Sequence, residues 1–200
     1  MKSNQPKITG LTGGIGSGKT TAAKYFEQLG FPLYNSDLRA REIQNNNPIV
    51  INKIIEVFGD EAYISGEMNR PYIASITFND KEKLQQLNQI VHPAVFNDFN
   101  EWISQQNSPY IIKEAAILIE SGSYKNCDLI ITVNANIEKR IERTIKRDNL
   151  QREQVEARIK NQLTDEERSS YADFVIDNSL DLPHLHHQIE EIVKTLNKRL

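Results

Sequence analysis

Apolar positions alternate between strand-like runs and helical spacing along the chain. Lys7 to Leu11 is a short apolar-leaning run that ends at a glycine-rich turn and predicts a first strand. Ala22, Ala23, Phe26 and Leu29 recur at helical spacing over Thr20 to Leu29, and Gly30 stands where a helix of this kind stops. Phe31 to Asn35 predicts a second strand. Asp37 to Asn107 reads as mostly helical, punctuated by Pro48, the Gly59 region and a Ser65-Gly66 turn. Within it, Leu84, Leu87, Ile90, Val91, Val95, Phe99 and Trp102 mark a long helix over Asp80 to Trp102 that Pro93 should kink or break. The first half of IIKEAAILI, after Tyr110, predicts a third strand. Asp128 to Val133 is β-branched and apolar, as in a strand buried on both faces. Asn136 to Arg168 reads as a long charged helical segment and Phe174 to Ile176 as a last short strand. Asp181 to Leu200 closes as a helix carrying Leu185, Ile189, Ile192, Val193 and Leu196.

Strands that alternate with helices imply an α/β fold with a parallel sheet, and ligands of such sheets bind at the carboxyl ends of the strands. The 200 residues suffice for one domain with insertions. No run of about 18 apolar residues exists, so no transmembrane helix and no membrane partner are expected. The start, MKSNQPK, lacks the apolar stretch of a signal peptide. The single cysteine, Cys127, excludes an internal disulfide or a multi-cysteine zinc site and is expected as a buried structural thiol. These features make a reduced, cytoplasmic setting the expectation. A formal net charge of −3 argues against a dedicated nucleic-acid binder.

Gly13-Gly14-Ile15-Gly16-Ser17-Gly18-Lys19-Thr20 matches G-x-x-x-x-G-K-[ST] between a predicted strand and a predicted helix. Glycines let the backbone curl so that successive N–H groups point at phosphate oxygens, and the helix start adds unpaired donors. Lys19 supplies positive charge to β- and γ-phosphates, and Thr20 offers a hydroxyl to Mg²⁺. The guanine-reading N-K-x-D sequence is missing, and the chain is short for a motor ATPase, so a small-molecule kinase fits best. Lys139 to Lys160 holds eight Lys or Arg residues against four acids. Such an excess suits a lid whose arginines neutralise a transferring phosphoryl group, while a solvated helix laced with pairs such as Glu142 and Lys146 is the alternative. Asp37, just past the second strand, is placed either as the base for an attacking hydroxyl or as a helix N-cap, or as both.

The chain resembles the dephospho-coenzyme A kinase family over nearly its whole length. The resemblance rests on LTGGIGSGKTTAAKYFEQLG, SDLRAR at Ser36 to Arg41, His92-Pro93, AILIE at Ala116 to Glu120, RTIKRD at Arg143 to Asp148, the R-E-x-V of Arg152 to Val155, and DFVIDN at Asp173 to Asn178. It implies a P-loop NTPase three-layer fold with a parallel five-stranded sheet, a helical insertion domain and a helical lid. The corresponding regions are a core at 1–38, 108–135 and 170–200, a coenzyme-binding insertion at 39–107 and a lid at 136–169. It also implies transfer of the ATP γ-phosphoryl to the ribose 3′-hydroxyl of dephospho-CoA with Mg²⁺, by a monomer or small homo-oligomer.

By position, Asp37 and Lys19 would be catalytic, with Arg143 and Arg147 as arginines of the transfer. Gly14, Ile15, Gly16, Ser17, Gly18, Lys19, Thr20, Thr21, Arg143 and Asn178 would bind ATP, Asn178 near the adenine. Asp37, Arg41 and His92 would meet the acceptor, although His92 before Pro93 also suits a packing role. Arg147 and Arg152 fall on lid arginines, and Thr20 on the magnesium ligand. Two departures stand out. Asn35 replaces the first Asp of the family's Asp-x-Asp and would share a side of an extended segment with Asp37. Ala116 replaces a family Pro, and Glu114 takes a place often held by Asp, either reaching Mg²⁺ through water or serving structurally. His184, His186 and His187 are expected at the solvated surface.

Overall fold

The computed structural model describes residues 5–78 and 80–199; Met1 to Asn4, Asn79 and Leu200 lie outside it, and with them most of the MKSNQPK stretch. The chain runs β1 (Lys7–Thr12), α1 (Lys19–Gln28), β2 (Leu33–Asn35), α2 (Ser36–Asn46), α3 (Pro48–Phe58), β3 (Tyr63–Ile64), β4 (Glu67–Met68), α4 (Arg70–Thr77) and α5 (Lys81–Ser104). It continues through β5 (Tyr110–Glu114), β6 (Leu129–Asn134), α6 (Ile137–Asp148), α7 (Arg152–Lys160), α8 (Asp165–Ser169), β7 (Phe174–Asp177) and α9 (Leu182–Asn197). Two compact units result, Met1–Asn35 with Gln106–Leu200, and Ser36–Gln105.

The first unit is built on a parallel five-stranded sheet of order β2-β5-β1-β6-β7. β5 is buried along its whole length and β6 along all but its last residue, which accounts for their continuous apolar runs. Leu11, Ile112, Ile131, Val133 and Ile176 of the sheet pack with Ala22, Ala23 and Phe26 of α1 and Leu185, Ile189 and Leu196 of α9. Each of the Leu, Ile, Val and Phe side chains contributes about 1.5–3 kcal/mol by leaving water. The central strand, β1, leads directly into the glycine loop. Cys127 is half-buried beside Leu118 and Ala115, and burial pushes its thiol up to about 11.

The charged segment after β6 is three helices, not one. Asn149 takes a left-handed conformation (φ 52°) and ends α6. Thr164 and Glu167 then cap α8 reciprocally: Glu167 N–H donates to Thr164 Oγ1 at 3.1 Å, and Thr164 N–H to Glu167 Oε2 at 2.7 Å. His186 also departs from expectation: it is half-buried and stacks on Tyr25 with ring centroids 3.6 Å apart.

The second unit packs α2 to α5 around Ile43, Val50, Ile54, Phe58, Met68, Ile73 and Val91. α5 runs unbroken through Pro93. The proline removes one N–H, whose partner would be the Gln89 carbonyl; Gln89, His92 and Pro93 are exposed, so water can serve that carbonyl. Inside the region read as helical, Tyr63 pairs with Met68 in a two-stranded hairpin. Its loop, Ser65 (φ 52°) and Gly66 (φ 85°), has the positive dihedrals of a primed two-residue turn. Among the described residues, no helix is long and apolar enough to cross a membrane.

Candidate active site

The loop between β1 and α1 is shaped by what crowds it. Gly16 and Gly18 have φ of 77° and 92°, a region other residues rarely adopt. A Cβ at Gly16 would run into the Arg140 carbonyl, and one at Gly18 into the Asn178 amide. Ser17 N–H donates to the Gly14 carbonyl at 3.1 Å and closes the turn. Gly18 caps α1 without a side-chain hydrogen bond, so the helix start presents backbone donors to the loop.

Glu114 gathers the functional side chains of this loop. It ends β5, opposite Leu11 of β1 and Asn35 of β2, and is 1% exposed. Its Oε1 accepts from Lys19 Nζ at 2.7 Å and from Thr20 Oγ1 at 2.8 Å, and its Oε2 accepts from Asn35 Nδ2 at 2.7 Å. A charge-assisted contact of this length fixes the Lys19 ammonium at the loop's mouth. The oxygen donors of Thr20 and Glu114 suit a hard divalent ion such as Mg²⁺.

Arg143 and Asn178 meet at the far end of the same loop. Arg143 Nη2 donates to the Asn178 carbonyl at 3.0 Å and Nη1 approaches the Gly16 carbonyl at 3.5 Å. The Asn178 side chain is 6% exposed and donates to the Ser17 carbonyl at 2.8 Å. Arg147 is bidentate to Asp148, at 2.7 and 2.9 Å, and Arg152 bonds Glu138 and Glu156, each at 2.7 Å. Both thus pair with acids of their own segment. Thr21 N–H bonds the Gly18 carbonyl at 3.0 Å, and its side chain is exposed.

In the second unit, Asp37 lies in the first turn of α2, which begins at Ser36. It is therefore not the N-cap, and it shares no extended segment with Asn35, which ends β2. Arg41 lies one turn further on the same face, and His92 is exposed on α5.

Sequence reasoning missed a brace behind the loop. Arg140 Nε donates to the Ile15 carbonyl at 3.0 Å, and Gln162 Oε1 accepts from Ile15 N–H at 2.9 Å. Arg140 and Arg168, 4% and 0% exposed, share Asp165 Oδ1 at 3.0 and 2.8 Å. Two guanidiniums on one carboxylate leave net positive charge buried behind a phosphate loop. Burial lowers the Arg140 pKa and Arg168 adds to that, against the opposing pull of Asp165. The capping box at Thr164 and Glu167 could have located α8, but nothing in the sequence distinguishes Arg168 from surface arginines. Removing the shared charge should be costly. Asp165→Asn should lower stability by about 3 kcal/mol, the lower end for a broken buried pair because Asp165 keeps some solvent. A calorimetric melt should then show Tm reduced by about 6–12 °C; an unchanged Tm would refute the brace.

The family model for dephospho-CoA kinase matches residues 7–184. The chain belongs to the dephospho-CoA kinase family. A dephospho-CoA kinase from Fusobacterium nucleatum is 39% identical over 190 residues, covering 94% of this chain and 98% of that protein. Among solved structures, a Thermus thermophilus protein superimposes with a TM-score of 0.87 at 30% identity, covering 98% of both chains. A dephospho-CoA kinase from Campylobacter jejuni gives a TM-score of 0.69 at 26% identity, covering 96% of this chain and 97% of that one. The parallel five-stranded α/β fold and the kinase class implied by the resemblance stand on these matches. Against the family's pattern, Asn35 has a physical account. Its amide donates to Glu114, whereas an aspartate there would set a second carboxylate against a buried one.

Proposed function

We propose that the protein transfers the γ-phosphoryl of ATP to the ribose 3′-hydroxyl of dephospho-CoA, giving CoA and ADP. The observation that carries the reading is the family match over residues 7–184, combined with the glycine loop whose Lys19 and Thr20 converge on buried Glu114. Loop N–H groups and Lys19 hold the β- and γ-phosphates. Lys19 exchanges part of its bond with Glu114 for phosphate oxygens as the charge moves in flight. Thr20 would hold Mg²⁺, with Glu114 bonding water on the ion; when bound, Mg²⁺ neutralises charge on the β- and γ-oxygens. Asp37 takes the proton of the 3′-hydroxyl as that oxygen bonds to phosphorus and the bond to ADP breaks. Arg143, seated on the loop through Gly16 and Asn178, contributes positive charge beside the phosphates. Asn178 supports the loop from below through its bond to the Ser17 carbonyl and stands in the segment near the adenine. Arg147 and Arg152 exchange their acidic partners for phosphate when nucleotide is present. Arg41 and His92 meet the acceptor, and the enzyme works in the cytoplasm as a monomer or small homo-oligomer.

The test is a coupled ADP-release assay with Mg²⁺, ATP and dephospho-CoA, followed by mass detection of the product. One added phosphate on dephospho-CoA, with little reaction on adenosine, AMP or shikimate, is the expected result. ADP release without any phosphorylated acceptor would overturn the reading.

A further inference from the structure

The hairpin β3–β4 is seated on one face of α2. The Tyr63 hydroxyl donates to the Gln44 carbonyl at 2.6 Å, and Asn45 Oδ1 accepts from Met68 N–H at 3.1 Å. Asp37, Arg41 and the Gln44–Asn45 pair fall at i, i+4 and i+7 or i+8, one stripe of the helix. Arg70 follows the hairpin by two residues and opens α4. The docked hairpin therefore delivers Arg70 to the side of α2 that carries Arg41, with Asp37 a turn away.

Neither arginine makes an ion pair or hydrogen bond among the described residues. Both are exposed, where an incoming anion can reach them. Partial desolvation of its stem lowers the Arg70 pKa first, the Arg41 charge lowers it further, and Tyr63 opposes; no carboxylate is among the groups that act on it. As the first residue of α4, Arg70 also stands at the helix end whose dipole disfavours positive charge. Two guanidiniums brought together without a carboxylate between them are complementary to a doubly charged anion.

We propose that Arg41 and Arg70 clamp the diphosphate of the acceptor, which makes Arg70 a substrate-binding residue alongside Arg41. The inference rests on the kinase reading above. Dephospho-CoA carries its reacting 3′-hydroxyl and its 5′-diphosphate on one ribose. The single helical turn from Asp37 to Arg41 rises about 6 Å, comparable to the span between those two groups. Guanidinium forks bind phosphate oxygens in pairs, so two of them match two phosphates. A nucleoside without the diphosphate leaves both arginines unused, and the clamp thereby selects the acceptor.

The test titrates dephospho-CoA calorimetrically, without ATP, into the wild type, Arg70→Ala, Arg70→Lys and Arg41→Ala, with thermal melts to establish folding. Arg70→Gln replaces any variant that does not fold. Arg70→Ala should weaken dephospho-CoA binding about 10- to 100-fold, the loss expected for charged hydrogen bonds. Arg70→Lys should recover part of it. In steady-state assays the KM for dephospho-CoA should rise in step, while the KM for ATP stays at its wild-type value. Unchanged dephospho-CoA affinity in folded Arg70→Ala overturns the clamp, and so does a loss that falls on ATP instead. A wild type that binds dephospho-CoA in an Arg70-dependent way yet never phosphorylates it would sink the kinase reading and leave the clamp standing.

Discussion

Asp37→Asn is expected to lower kcat by roughly 10²- to 10⁴-fold, the usual range for a lost general base, with the KM for ATP near its wild-type value. Asparagine keeps the size of the side chain and its ability to hydrogen-bond, and loses only the capacity to take a proton. A competing role exists for this carboxylate, because an acid in the first turn of α2 also favours the helix dipole. That contribution is worth about 0.3–1 kcal/mol, which in a chain of this size moves Tm by no more than about 4 °C. The two roles separate in one experiment that measures turnover and melting on the same preparation. Turnover that falls only as far as the folded fraction falls would remove Asp37 from the chemistry.

Lys19→Ala should cost roughly 10²- to 10³-fold in kcat, as for loss of one preorganised charge at a developing anion, and should weaken ATP binding as well. It should also destabilise the protein, because it strips the ammonium from a carboxylate that is 1% exposed and leaves it with the Thr20 and Asn35 donors. Adding Glu114→Gln to Lys19→Ala removes the stranded charge. The double variant should melt closer to the wild type than Lys19→Ala alone while turning over no faster. Recovery of turnover in the double variant would show that Lys19 acts by satisfying Glu114 and not on phosphate.

The framework of the molecule was legible because local and long-range signals agree. β-branched runs buried on both faces, such as Leu129–Asn134, can be little else than central strands. The glycine loop announces itself because its dihedrals and its crowded surroundings both forbid side chains. The failures have particular causes. Strands of two residues, as in β3 and β4, are too short for any period to register, and only the Ser65-Gly66 turn hinted at them. Pro93 suggested a kink or a break, and α5 is continuous there, where exposure lets water serve the carbonyl that the proline deprives. Asn149 and the Thr164–Glu167 box did mark the ends of helices within the charged segment, but the continuous run of charge masked them. The arginines divided in a way their spacing did not foretell. Arg140 and Arg168 turn inward to share Asp165, while Arg147 and Arg152 lie at the surface among acids. That division depends on which side of each short helix meets the sheet, and on partners more than 100 residues away in the case of Ile15.

The loop at residues 13–18 takes its support from Arg140, Gln162 and Asn178, which lie 125 to 161 residues further along the chain than the groups they hold. During translation the loop leaves the ribosome well before its props. A nascent chain halted before Asn178 would carry the complete phosphate-binding sequence and still lack the groups that give it shape. Termination before Asn178 should therefore yield fragments that do not sequester ATP, and competence for nucleotide should appear only once that residue has been made.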